Sequence, residues 1–381
     1  LSQAAAEAET CAISEEGRMH YKDWITNLPA YKPARLLSGK TAEMVKLSSN
    51  ENVLGPSPRA LEALQSAAGS IFRYPDAQAG ALRRSLAERA GLPPEAVLCG
   101  NGSDELVFLI CMGFLREGDE VVMAQGTFIS YLLRSRVMGA QPVQVPLRNH
   151  THDLSAMAEA VTPGTRLLFV CNPNNPTGTT NGAAEMHDLL ARVSEDVLVV
   201  VDEAYIEFAT RPDYPDLLTE LRRGRPNLVL LRTFAKIYGL AGLRLGYAYA
   251  SPDVVDYLDR ARPVFNVNAL AQAAGLAALE DADHVARSRA HADACRAFFE
   301  RALTTLGLSY ALSETNFIAV DVGDDAAVTE GLYQRGVMVT PLSGWGVPGF
   351  IRISFGLPDQ NERCIAALAE VLTRKTETTQ P

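Results

Sequence analysis

From about Ser48 to Ala250 the chain alternates between two patterns. Short, almost unbroken apolar runs are separated by stretches whose apolar residues recur every three or four positions. The runs are AVLCG (96–100), EVVMA (120–124), PVQVPL (142–147), RLLFVC (166–171), VLVVVD (197–202), LVLLRT (228–233) and LGYAYA (245–250). Between most of them lie helix-like segments such as SDELVFLICMGFL (103–115) and AAEMHDLLARV (183–193). Strands that are apolar on both faces and separated by helices predict a mainly parallel sheet covered on both sides, an α/β domain.

After Pro252 the pattern changes. Ala-rich helical stretches cover 253–262 and 268–307, followed by a strand at NFIAVDV (316–322) and a helix over 325–335. Short strands near VMV and IRIS and a last helix over about 359–374 complete a smaller α+β domain, joined to the first by a long helix. The expected division is an N-terminal arm (1–46), a large domain (47–262) and a small C-terminal domain (263–381).

Composition narrows the function classes. The 381 residues are 47% hydrophobic and 21% charged, enough for a large core and two domains. A net charge of −10 argues against a nucleic-acid or anionic-membrane partner. The six cysteines (Cys11, Cys99, Cys111, Cys171, Cys295, Cys364) form no C-x-x-C pair and read as reduced core residues. His150 and His152 lie in a polar stretch that reads as a loop, and no metal site is expected. No apolar run reaches the ~20 residues of a membrane span. The opening residues are acidic and lack the apolar middle of a signal peptide, so a cytoplasmic location is expected.

In open α/β sheets, functional residues collect at the carboxyl ends of strands. GNGSDEL (100–106) follows one strand and opens a helix, so the N–H groups of Gly102, Ser103 and Asp104 would point at an anion such as phosphate. Glu105 occupies the last glycine position of G-x-G-x-x-G, which argues against a dinucleotide site and hence a dehydrogenase. CNPNNPTGT (171–179) is a rigid turn able to aim Asn175, and VVVDEAYIEF (199–208) ends a buried run on the carboxylate of Asp202. Lys236 and Arg244 follow the next strand. Read singly, these are more readily a capped helix, a connecting turn, a structural ion pair and surface cations than a functional site. Together they supply a phosphate cradle, an amide, a buried carboxylate, an amine and a guanidinium, the set that pyridoxal 5′-phosphate requires.

At this point the chain resembles the fold-type I, class I/II PLP-dependent aminotransferases, and within them the histidinol-phosphate aminotransferase group. The motifs that carry the resemblance are SSNENVLGPSP (48–58), YPDAQAGALR (74–83), GNGSDEL, NPNNPTGT, VVDEAYIEF, RTFAKIYGLAGLRLGY (232–247), ETNFIAV (314–320) and RISFG (352–356), in order over about residues 30–375. The resemblance implies that Lys236 forms the internal aldimine and then moves protons, while Asp202 keeps the pyridine nitrogen protonated. It implies that Tyr205 and Asn175 bond the ring's phenolic oxygen. Gly102, Ser103, Asp104, Thr233 and Arg244 would hold the phosphate, and Phe128 would stack on the ring. Tyr74 matches a tyrosine given to the neighbouring subunit's phosphate site, which implies a homodimer. Arg352 would bind the substrate's anionic group, and Asn50, Tyr31 and Arg35 lie in segments that close over the substrate.

The chain departs from the family pattern at four places. Phe128 stands where tyrosine is common, with Tyr131 nearby, and Ala235 stands where a phosphate-binding serine is frequent. Gln125 and Gly126 replace a frequent proline pair, and Thr340 replaces an arginine that helps bind the substrate phosphate. Cofactor residues are spared and substrate residues are altered. The expectation is therefore an aminotransferase acting on a different amino acid, as in specialised metabolism, with a keto-acid acceptor. The alternative is another PLP reaction on the same scaffold: decarboxylation, elimination or replacement, carbon–carbon bond formation or oxidation. A non-enzymatic regulator would carry a basic DNA-binding module, and the residues before the matching part are acidic.

Overall fold

The computed structural model describes residues 21–28 and 44–378. Its strands are β1 (Val45–Lys46), β2 (Val97–Gly100), β3 (Glu120–Ala124), β4 (Gln141–Val145), β5 (Thr165–Cys171), β6 (Leu198–Asp202), β7 (Leu228–Thr233), β8 (Gly246–Tyr249), β9 (Phe317–Asp321), β10 (Val337–Met338), β11 (Thr340–Pro341) and β12 (Phe350–Ser354). Its helices are α1 (Asp23–Thr26), α2 (Pro58–Ala68), α3 (Gly80–Ala90), α4 (Ser103–Phe114), α5 (Ile129–Val137), α6 (Leu154–Glu159) and α7 (Ala183–Arg192). Further along come α8 (Leu218–Arg222), α9 (Pro252–Ala261), α10 (Ala269–Leu279), α11 (Ala282–Thr305), α12 (Asp325–Gln334) and α13 (Pro358–Thr378).

Seven strands form the main sheet in the order β2-β8-β7-β6-β5-β3-β4. All are parallel except β8, which runs against both its neighbours. The unbroken apolar runs arise because both faces are covered. Along β6, Val199 and Val201 enter one core and Leu198 and Val200 the other. The third predicted run, PVQVPL, stops early, at Val145, because Pro146 has no N–H to continue the ladder. The sheet brings the carboxyl ends of β2, β5, β6 and β7 to one edge, and the start of antiparallel β8 joins them.

A second body is built on the antiparallel sheet β11-β12-β9, with β1 pairing parallel to β10. Its core takes Val45 and Leu47 together with Ala292, Cys295, Phe299 and Leu303 of α11. The expected boundary at 262/263 is corrected by this packing. Ala271, Ala274 and Ala278 of α10 lie in the large core with Leu82 and Leu86 of α3. The change of core falls between α10 and α11. There the predicted continuous helix over 268–307 is broken: Asp281 caps a new start by accepting from the His284 N–H at 3.0 Å. The strand by Val45 likewise belongs to the second body rather than to a separate arm. Cys99, Cys111, Cys171, Cys295 and Cys364 are free and buried. Among the described residues no helix is long and apolar enough to cross a membrane, and no cluster could hold a metal.

Candidate active site

The first wall of the cleft is backbone. β2 ends at Gly100, and α4 opens at Ser103 with no side chain capping its first N–H groups. Gly102 has φ +85°, and a Cβ there would sit 2.5 Å from Nη2 of Arg244. A Cβ on Gly246 would meet the Ser103 nitrogen at 2.4 Å. Only glycine at both positions lets the helix start, β8 and the guanidinium converge on one spot. Arg244 itself takes a left-handed backbone, φ +54°, the kind of strain that functional sites retain. The Asp104 carboxylate does not face this cradle: it binds Ser130 and Arg134 of α5, tying the two helices together. Glu105, which broke the glycine pattern, accepts from the Asn101 N–H at 2.6 Å and from Asn266 at 2.6 Å, and so holds the turn.

Asp202 ends β6 and is 3% exposed. Its Oδ1 accepts from the Ala204 N–H at 3.0 Å and its Oδ2 from the Tyr131 hydroxyl at 2.7 Å. Burial raises its carboxyl above the ordinary range, opposed by those two donors and by Lys236. Tyr131 is buried, stacked on Phe169 at 4.6 Å, and edge-on to Phe128 at 5.5 Å. Its hydroxyl therefore serves the carboxylate.

Lys236 follows β7 in a loop fixed at its base by Thr233, whose Oγ1 accepts from the Ala235 N–H at 3.1 Å. The ammonium lies 5.5 Å from the Tyr205 ring centroid. Burial, then the positive charge of Arg352, pushes its pKa down to about 8. An amine that is partly neutral near pH 7 can act as nucleophile and base.

The opposite wall comes from β12. The Arg352 guanidinium, 5% exposed, lies between the rings of Phe317 and Trp345, at 5.4 and 5.3 Å. Its Nη1 donates to Asn175 Oδ1, and its Nη2 donates to the Ser48 carbonyl at 2.8 Å. Its Nε is buried and without a partner in the protein. Thr340 stands opposite Arg352 in the β11–β12 ladder and donates to the same Ser48 carbonyl at 2.9 Å. Tyr205 accepts from Asn50 Nδ2 at 2.9 Å, and burial raises its hydroxyl pKa.

One cleft is lined by Ser103, Asp104, Phe128, Asn175, Asp202, Tyr205, Thr233, Lys236 and Arg244 of the expected residues, and by Cys171 and Ala235. Asn50 is buried behind Tyr205, its amide taken by Tyr205 and Ser354, so its side chain does not face a substrate as expected. Tyr74 lies outside the cleft, 82% exposed and stacked on Phe265. Tyr31 and Arg35 lie outside the described residues. The sequence reading missed the Phe317–Trp345 clamp and Ser354. Ser354 is two residues from Arg352 on one strand, so the period of two was the available signal. Tyr131, three residues after Phe128, could have been placed beside it by helical spacing.

An aromatic cofactor with a dianionic phosphate fits these residues. The uncapped α4 start and the two glycines leave room and N–H groups for the phosphate, Asp202 offers a buried carboxylate to a ring nitrogen, and Lys236 offers the amine. The comparisons with known proteins agree. The model of the family "Aminotransferase class I and II" matches residues 42–368. A histidinol-phosphate aminotransferase of Moorella thermoacetica is 45% identical over 358 residues, 94% of this chain and 92% of the relative. Histidinol-phosphate aminotransferase 2 of Pseudomonas aeruginosa is 44% identical over 362 residues, 95% of this chain and 98% of the relative. The crystal structure of histidinol-phosphate aminotransferase from Sinorhizobium meliloti in complex with pyridoxal-5′-phosphate superposes with a TM-score of 0.87 at 29% identity, covering 95% of this chain and all of that one.

Proposed function

We propose that this chain, which belongs to the aminotransferase class I and II family, is a pyridoxal-phosphate-dependent aminotransferase that takes its amino group from histidinol phosphate and passes it to a keto acid. The observation that carries the reading is the meeting of Lys236, Asp202, the α4 cradle and Arg352 around one cleft. What favours histidinol phosphate over the different amino acid expected from the sequence is the 45% and 44% identity to relatives of that name, over nine-tenths of each chain.

When bound, the cofactor supplies an electron sink for the charge left on the donor carbon as its proton is removed. Lys236 is the amine that would hold the cofactor and the base that would move the donor's proton; a base with pKa near the working pH suits this task. Asp202, fixed by Tyr131 and the Ala204 N–H, holds the proton on the ring nitrogen. The N–H groups at the start of α4 and Arg244 bind the cofactor phosphate. Arg352 binds the phosphate of the donor and, in the second half-reaction, the carboxylate of the keto acid, with its unpartnered Nε available to either. Ile71, Phe72, Tyr74 and Val264 expose large apolar surface, 66–82% each, which supports a homodimer with Tyr74 serving the partner's site. We place the enzyme in the cytoplasm.

One observation favours a second reading, a different amino donor: at Thr340 a neutral side chain stands beside Arg352, so a substrate phosphate meets one guanidinium there. Steady-state kinetics with histidinol phosphate, histidinol and a panel of free amino acids separates the two. The first reading expects histidinol phosphate to have the highest kcat/KM; higher values for free amino acids would establish the second.

A further inference from the structure

We propose that Ser354 and Asn50 are positioning residues that hold the Tyr205 hydroxyl as a donor toward the cofactor's phenolic oxygen. Every link in the chain has one sense. The Asn50 backbone N–H donates to Ser354 Oγ at 2.8 Å, so the serine's own hydrogen goes to Asn50 Oδ1 at 2.7 Å. With Oδ1 taken by a donor, the amide presents Nδ2 to Tyr205 and donates to its oxygen at 2.9 Å. A tyrosine hydroxyl has one hydrogen. Its oxygen is occupied from behind, so that hydrogen points into the cleft.

The reversed amide is unfavourable. It would press Nδ2 on Ser354 Oγ, which already accepts a backbone N–H, and strand the serine's hydrogen without an acceptor. Tyr205 would then donate backward to Asn50 Oδ1 and lose its hydrogen for the cleft. Water does not relieve this, because Asn50, Tyr205 and Ser354 are 2–3% exposed. Asn50 also sits at φ +54°, with its carbonyl held by Asn316 Nδ2 at 3.1 Å, so its backbone is fixed independently of the side chain.

The arrangement has a counterpart on the same strand. Arg352, two residues before Ser354 and so on the same face of β12, donates to Asn175 Oδ1 and leaves Asn175 Nδ2 to donate. One strand of the second body thus orients both donors to one cofactor oxygen. The inference rests on the cofactor and not on the identity of the amino donor.

The test is an absorbance titration of the substrate-free holoenzyme, whose midpoint reports the proton held near the phenolic oxygen and the nitrogen joined to Lys236. A donor on that oxygen disperses its negative charge and lowers the midpoint. The charged and titratable groups facing Tyr205 are Arg352, Lys236, Asp202 and the Cys171 thiol, and the substitutions leave them in place. Ser354→Ala and Asn50→Asp are each expected to raise the midpoint by about one unit, and Ser354→Thr, which keeps the hydroxyl, to restore it. In a Tyr205→Phe background Ser354→Ala is expected to add no further shift. An unchanged midpoint in cofactor-loaded Ser354→Ala overturns the proposal, as does a Ser354→Ala shift that persists without the Tyr205 hydroxyl. Should Asn50→Asp fail to fold, the serine series decides alone. Loss of transamination of histidinol phosphate alone would bear on the donor, not on this midpoint.

Discussion

On the large body's side of the cleft, the proposed phosphate site is built from backbone: the uncapped start of α4, made accessible by Gly102 and Gly246, with Arg244 laid over it. On the β12 side the proposed donor site rests on one guanidinium, Arg352, clamped between Phe317 and Trp345. A backbone cradle is indifferent to most side-chain changes nearby, which is why Ala235 in place of serine leaves the cofactor side coherent. A single side chain has no such reserve. A neighbour such as Thr340 then decides how tightly a doubly charged group is held. On the proposed reading the α4 side holds the cofactor phosphate. The β12 side both receives the donor's anionic group through Arg352 and, through Arg352 and Ser354, orients the groups that meet the cofactor's phenolic oxygen.

The strongest way to break this comparison is to remove the amine. Lys236→Ala is expected to lower turnover by at least about 10²–10⁴-fold and to abolish borohydride fixation of the cofactor, with the fold unchanged by circular dichroism. Next is Arg352→Gln, expected to lower kcat/KM for the anionic donor by about 10–100-fold, as loss of a charge-assisted bond of about 1.5–3 kcal/mol implies. Its cofactor affinity should stay near wild type. If cofactor affinity falls as far as kcat/KM does, the two sides are not separable.

Smaller effects sharpen the comparison. The Lys236 pKa is depressed, so the neutral amine that captures the cofactor grows as pH rises through about 8 rather than through the ordinary lysine range. Loading of the apoenzyme, followed by absorbance after mixing, should accelerate about fivefold from pH 7 to pH 8, about twofold more by pH 9, and then level off. The sign for stability is the same: between about 8 and 10.5 the unfolded chain binds more protons at this lysine, so this site makes the apoenzyme more stable as pH rises. The smallest effect is on specificity. Thr340→Arg is expected to raise the preference for histidinol phosphate over histidinol several-fold, measured as a ratio of kcat/KM values.

Much of this was legible in the sequence, and the limits have physical reasons. The strands were readable because both faces are buried, which writes each as a continuous apolar run such as VLVVVD. The cofactor residues follow strand ends, where the parallel sheet collects them. The boundary between the two bodies was not readable, because the alanines of α10 and α11 look alike and only tertiary packing sends Ala274 to one core and Ala292 to the other. The Tyr131–Asp202 bond joins residues 71 apart, and no local period encodes it. The resemblance places Asn50 in a segment that closes over the substrate, yet its side chain turns inward to Tyr205 and Ser354. The charge of Arg352 is plain in the sequence, but the aromatic clamp that holds it comes from β9 and from the turn before β12.

The central claim is that one cleft joins a lysine-held cofactor to a donor recognised through its phosphate. A single-turnover experiment tests it most directly: holoenzyme is mixed with histidinol phosphate and no keto acid, while cofactor absorbance and product mass are followed. The account predicts conversion of the cofactor to its aminated form with one carbonyl product per site, reversed on adding a keto acid. No conversion with histidinol phosphate, alongside full conversion with a free amino acid, would contradict it.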